Sequence, residues 1–99
     1  MIVITGTVRI AEGKLAAARP IMEKVLRLSR AEKGCISYAY ALDVLDPTLI
    51  RISEEWESLE DLKAHAASAH VAEWRSQGPE LGISDRDLKI HTVTESKAL

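Results

Sequence analysis

The chain contains no phenylalanine, a single cysteine, Cys35, and only two tryptophans and two tyrosines among its 99 residues. One thiol excludes an intrachain disulfide and a cysteine-built zinc site. Free cysteine is commonly buried as a small apolar group, so Cys35 reads as a strand residue and not a nucleophile. With so few rings, aliphatic residues must fill most of the core. No apolar run approaches the roughly 20 residues of a membrane-spanning helix. MIVITGTVRI lacks the basic segment that opens a signal peptide. A soluble, cytoplasmic protein is expected. The formal charge of −2 supplies no attraction for nucleic acid or an anionic membrane, and neither is expected as a partner.

Motif chemistry is also sparse. Gly13, Gly34, Gly78 and Gly82 stand isolated, so there is no GxGxxG turn and no phosphate loop. No serine sits in a G-x-S-x-G elbow. A flavin or nicotinamide therefore lacks support, and no cofactor is expected. His65 and His70 are five residues apart, with no HExxH or His-x-x-x-His pair, so no metal is expected either.

What is present reads as one domain over residues 1–99, with a core from 2 to 94 and a short tail from 95 to 99. Ile2 to Ile10 alternates as a strand, and Gly6 within it points to a bulge or a close backbone approach. Lys14 to Lys33 has helical period through Leu15, Ala18, Met22, Val25 and Leu28, ended by Gly34 as the C′ residue. Pro20 conflicts with that helix: it removes a hydrogen bond and should kink the chain, or else the true helix starts near it. Cys35 to Val44 and Leu49 to Glu57 form a hairpin through Asp46-Pro47. A loop through Gly78, Pro79 and Gly82 leads to a last strand from Asp87 to Thr94.

The stretch from Ile50 to Trp74 concentrates the chemistry. Ile50, Ile52, Glu54 and Trp56 share one strand face. Ser58 caps the helix that follows, with Glu60 and Asp61 in its first turn. Leu59, Leu62 and Ala66 give that helix an apolar stripe, and His65 lies about 90° from its middle, at the border of core and cavity. Ser68 caps a second short helix on which His70 and Trp74 share a face. Histidine titrates near neutrality and a neighbouring carboxylate can tune it, so His65 with Glu54 is a candidate acid–base pair. The bland alternative is a carboxylate satisfying a buried histidine. Tyr38 and Tyr40 point to one face, either as cavity lining or as core residues with exposed hydroxyls.

The order β-α-β-β-α-β is the α+β, ferredoxin-like plan: an antiparallel sheet with helices on one face. The other face carries Ser37, Ala39, Ala41, Arg51 and Ser53, small enough for a second sheet to approach. A homodimer burying that face is expected.

The run EEWESLEDLKAHAASAH resembles the signature of the antibiotic biosynthesis monooxygenase family: an acid, an aromatic, and a helix with a histidine nine residues later. AEKGCISYAYAL resembles that family's glycine-turn entry into its second strand. The similarity runs from Ile2 to Thr94. It implies a dimeric α+β barrel and a cofactor-independent monooxygenase whose partners are dioxygen and a quinol-like or polycyclic aromatic. In that chemistry a base takes a proton and the anion reduces dioxygen directly. His65 would be the base or orienting donor, Glu54 its partner and Trp56 an aromatic wall, with Tyr38, Tyr40, His70 and Trp74 as further substrate contacts. A non-oxidative isomerase and a non-catalytic, stress-associated binding dimer share the fold and stay open beside it.

Overall fold

The computed structural model describes residues 1–99. In chain order its elements are β1 (Ile2–Ile10), α1 (Leu15–Arg30), β2 (Cys35–Leu42), β3 (Leu49–Trp56), α2 (Leu59–Ala66), α3 (Ala69–Gln77) and β4 (Ile83–Thr92). The strands make one antiparallel sheet in the order β2-β3-β1-β4. This is the expected α+β, ferredoxin-like plan, with the second helical segment divided at Ser68. No helix is long and apolar enough to cross a membrane.

Strand alternation decides which sheet face the helices cover. Ile2, Ile4, Val8 and Ile10 of β1 are buried, as are Ile50, Ile52, Glu54 and Trp56 of β3. α1 lays Ala18 and Met22 on Val8, Ile10, Ile50 and Ile52. A second cluster joins Ile2, Ile4, Tyr38 and Trp56. Full burial of each such aliphatic side chain contributes about 1.5–3 kcal/mol, which is what holds the helices to this face. On the opposite face Thr5, Ala39, Ala41, Arg51 and Ser53 are exposed.

Several expectations about α1 and β4 need correction. α1 buries Ala18, Ile21, Met22, Val25 and Ser29, and leaves Leu28 37% exposed. It starts well before Pro20 and continues through that exposed residue, which cannot donate the N–H that would have reached the Ala16 carbonyl. It also stops at Arg30, well before Lys33, with Ala31 as its cap. Gly34 is therefore not the C′ residue. It adopts φ 80° in the turn into β2, where an added Cβ would stand 2.1 Å from Asp61 Oδ2. The early stop puts Glu32 in a turn, free of helical geometry.

β4 begins at Ile83 and not at Asp87. Thr7 pairs with Asp87 but Arg9 pairs with Ser84, so β4 carries one extra residue against β1. Asp85 takes up the irregularity at φ 52°. Just beyond, an added Cβ on Gly6 would lie 2.0 Å from the Asp87 carbonyl oxygen. The glycine marks both a close approach and an adjoining bulge, as its place in the strand indicated.

Candidate active site

Ser58 sets the phase of α2. Its Oγ accepts from the Asp61 amide at 3.2 Å and donates to Asp61 Oδ2 at 2.9 Å. Only a short link separates the end of β3 from this cap, so the helix has little freedom to rotate. The result differs from the expected stripe: Leu59 is 40% exposed and Ala66 is exposed, while His65 is the buried residue of α2. His65 is thus at the centre of the inward face. Ser68 Oγ then donates to the His65 carbonyl at 2.6 Å and accepts from the Val71 amide at 3.4 Å, capping α3.

The His65 ring is fixed between Trp56, 4.6 Å between centroids, and the edge of Tyr38 at 5.2 Å. Its Nδ1–H donates to Glu32 Oε1 at 3.2 Å. Its Nε2 lies 3.9 Å from Glu54 Oε1. That same carboxylate oxygen accepts from Trp56 Nε1–H at 3.0 Å. Burial pushes the Glu54 carboxyl above its ordinary value; the Trp56 hydrogen bond and the nearby His65 and Arg86 charges oppose the shift. A carboxyl raised in this way holds a proton more readily than one in water.

Above this pair opens a cavity of about 510 Å³, within the range of roughly 300–1,000 Å³ usual for small-molecule sites. Ile4, Val8, Ile52 and Leu88 supply apolar walls, Tyr38, Tyr40 and Trp74 supply rings, and Arg75, Arg86 and Lys89 line it toward β4 and α3. The tyrosine hydroxyls are 2.9 Å apart. Burial pushes Tyr40 up to about 12 and Tyr38 higher still, so both remain neutral phenols able to donate.

Of the residues singled out in the sequence, Glu54, His65, Tyr38, Tyr40 and Trp74 meet at this cavity. Trp56 does not line it. At 0% exposure the indole stands behind Glu54 and His65 as their packing surface and hydrogen-bond donor. His70 is likewise off the cavity, its Nε2 directed to Glu32 and, at 3.3 Å, to Ser68 Oγ. Cys35 is half-buried at the start of β2, and burial, then the Glu32 and Glu54 charges, push its thiol up, away from nucleophilic use.

Two residues were missed. Glu32 was hidden inside a helix expected to run to Lys33, and Arg86 inside a loop expected to last until Asp87. The Gly34 turn was the one local hint of the first. Together Glu32, His65 and His70 place a donor atom each within 4.8 Å of one another, a set that could hold a metal and that sequence spacing did not disclose.

Comparison with known proteins gives this arrangement its context. The sequence model described as antibiotic biosynthesis monooxygenase matches residues 1–77. An uncharacterized protein of Synechocystis, sll1783, is 24% identical over 98 residues, 99% of this chain and 67% of its own length. A Deinococcus radiodurans structure named for the same group of monooxygenases superposes with a TM-score of 0.92 at 22% identity, covering 100% of this chain and 98% of that one. A Nitrosomonas europaea structure named likewise gives 0.84 at 20%, covering 96% and 100%. At such identities these two establish a shared fold.

Proposed function

This chain belongs to the antibiotic biosynthesis monooxygenase family, and from that premise we propose that it is a cofactor-independent monooxygenase acting on a quinol-like or polycyclic aromatic. The observation that carries this reading is a buried carboxyl–imidazole pair, Glu54 and His65, facing an apolar cavity. Glu32 holds the Nδ1–H of His65, which leaves Nε2 as the nitrogen able to accept a proton. A substrate hydroxyl or activated methylene placed above this pair loses its proton to it. The positive charge His65 then gains has a carboxylate on each side. Tyr38 and Tyr40 are neutral phenols hydrogen-bonded to each other, which leaves one O–H of the pair to donate to a substrate oxygen.

The deprotonated ring system is electron-rich and reduces dioxygen directly. For a methylene, the carbon becomes a carbonyl with one oxygen atom, and the other leaves as water with both hydrogens. The electrons come from the substrate, so the protein need supply only a base, orientation and the exclusion of water. A second copy of the chain would cover the open sheet face and complete a homodimer.

Oxygen uptake measured over a panel of quinols and anthrones, with and without protein, tests the reading. On a substrate that is turned over, His65→Ala should lower the rate by roughly 10²–10⁴, the span usual for losing a general base. His65→Gln keeps a hydrogen bond without base strength and should fall nearly as far. Unchanged rates in both variants would leave Glu54 as the base. Turnover that persists without dioxygen would instead favour an isomerase using the same pair for proton transfer.

A further inference from the structure

Glu32, His65 and His70 meet on the Nδ1 edge of His65, whereas Glu54 stands on its Nε2 edge. We propose that these three side chains form a binding site for a divalent transition ion of the zinc class. Two imidazole nitrogens and a carboxylate oxygen suit a borderline ion such as Zn²⁺ or Co²⁺, while Mg²⁺ and Ca²⁺ prefer oxygen shells.

Ligand atoms bound at about 2.0–2.1 Å with a tetrahedral angle between them lie roughly 3.3 Å apart. His65 Nδ1 and Glu32 Oε1, 3.2 Å apart, already match that separation. His70 Nε2 sits closer than that to Glu32 Oε1, and the three donors lie within 4.8 Å of one another, so His70 must draw back from Glu32 to admit an ion. Packing otherwise holds the donors together in advance. His65 is packed between Trp56 and Tyr38, His70 is held on α3 beside its Ser68 cap, and Glu32 leaves α1 early enough to reach both. Side-chain exposures of 19% for Glu32, 6% for His65 and 13% for His70 keep most water away. Electrostatics favours a cation as well: Glu32 lies at the site and Glu54 is 3.9 Å from the same imidazole. Since the ligands come from the turn after α1, from α2 and from α3, an ion there would tie three elements together.

Binding would alter His65. With an ion on Nδ1, Nε2 must carry the remaining ring proton and can donate but no longer accept. An occupied site therefore switches off the base. That consequence rests on the oxygenase reading above; the site itself stands on the geometry alone.

The experiment uses the untagged 99-residue chain and reads binding without turnover. Co²⁺ titration should give a saturable visible absorption band at one ion per chain, displaced by Zn²⁺ and unaffected by Mg²⁺. Glu32→Gln and His70→Ala should each weaken binding at least about tenfold, while His91→Ala, on exposed β4, should leave it unchanged. Zn²⁺ should raise the thermal midpoint of the parent chain and not of the two ligand variants. Absence of a saturable band in the parent chain, which needs no variant, would overturn the proposal. So would equal binding in folded Glu32→Gln or His70→Ala. If a quinol is oxidised, saturating Zn²⁺ should suppress it in the parent and spare it in His70→Ala. Metal binding by a chain that takes up no oxygen in its metal-free form across the quinol and anthrone panel would sink the oxygenase reading and leave the site intact.

Discussion

The two faces of the sheet are built from the same four strands and could hardly differ more in content. On the covered face β3 presents Ile50, Ile52, Glu54 and Trp56, all buried. One residue along at each step, the open face presents Arg51 and Ser53, exposed, and Glu55, half-buried. The covered face carries the rings, the aliphatic mass and the single buried carboxylate, and it owes its order to packing. The open face carries small and charged groups tied by surface contacts such as Ser37 Oγ donating to Glu55 at 2.6 Å and Arg51 to Asp43 at 2.9 Å. Such contacts individually add little to stability. The candidate site and the core therefore share one face, while the other is left uncovered.

That division can be broken from either side. Trp56→Ala removes the fully buried indole and the Nε1–H that Glu54 accepts, and should destabilise the chain by about 3–5 kcal/mol in chemical denaturation. A loss under about 1 kcal/mol would mean that the covered face does not carry the fold. Ala39→Glu places a charge in the middle of the open face. It should leave the unfolding free energy of the separate chain within about 0.5 kcal/mol, yet turn a sedimenting dimer into a 10.9 kDa monomer. A parent protein that already sediments as a monomer would remove assembly as the role of that face.

The smallest effect concerns the hairpin edge. The Arg9 hydrogen bond, then those from Thr48, hold the Asp46 carboxyl below its ordinary value. A carboxyl lowered by folding adds stability that is complete above its unfolded value, near 4, and is lost as pH falls through the folded one. Asp46→Asn should therefore flatten the acid limb of the thermal midpoint slightly, and less so in high salt. No change at all would show the exposed pair to be without weight.

Much of this was legible beforehand because alternation and caps are local. β1 and the β2–β3 hairpin follow from period two, and Ser58 and Ser68 announce their helices by position alone. The convergence of Glu54 and His65 followed from a cap close behind a strand. What could not be read was set by tertiary contact. α1 stops at Arg30 because the chain must turn at Gly34 beneath Asp61, and no residue between Arg30 and Lys33 forbids helix. Only that stop brings Glu32 to two histidines more than thirty positions away. Trp56 looked like a cavity wall because strand parity gives a face and not a depth.

The extra residue in β4 has a consequence for how this protein could diverge. Ile83 pairs with Ile10, while Leu88 and Ile90 pair with Gly6 and Ile4, so apolar residues of opposite parity all serve the covered side. A regular strand could not do this, because a shift of one position sends every later side chain to the other face. Loss of a single residue near Asp85 would turn Arg86, Leu88 and Ile90 outward together, or else withdraw Ile83. Glu54, His65 and Glu32 lie on other elements and would keep their places. A length change at this one point would thus redraw the cavity wall while sparing the acid–base pair, giving a lineage new ligands in one step where point substitutions would need several.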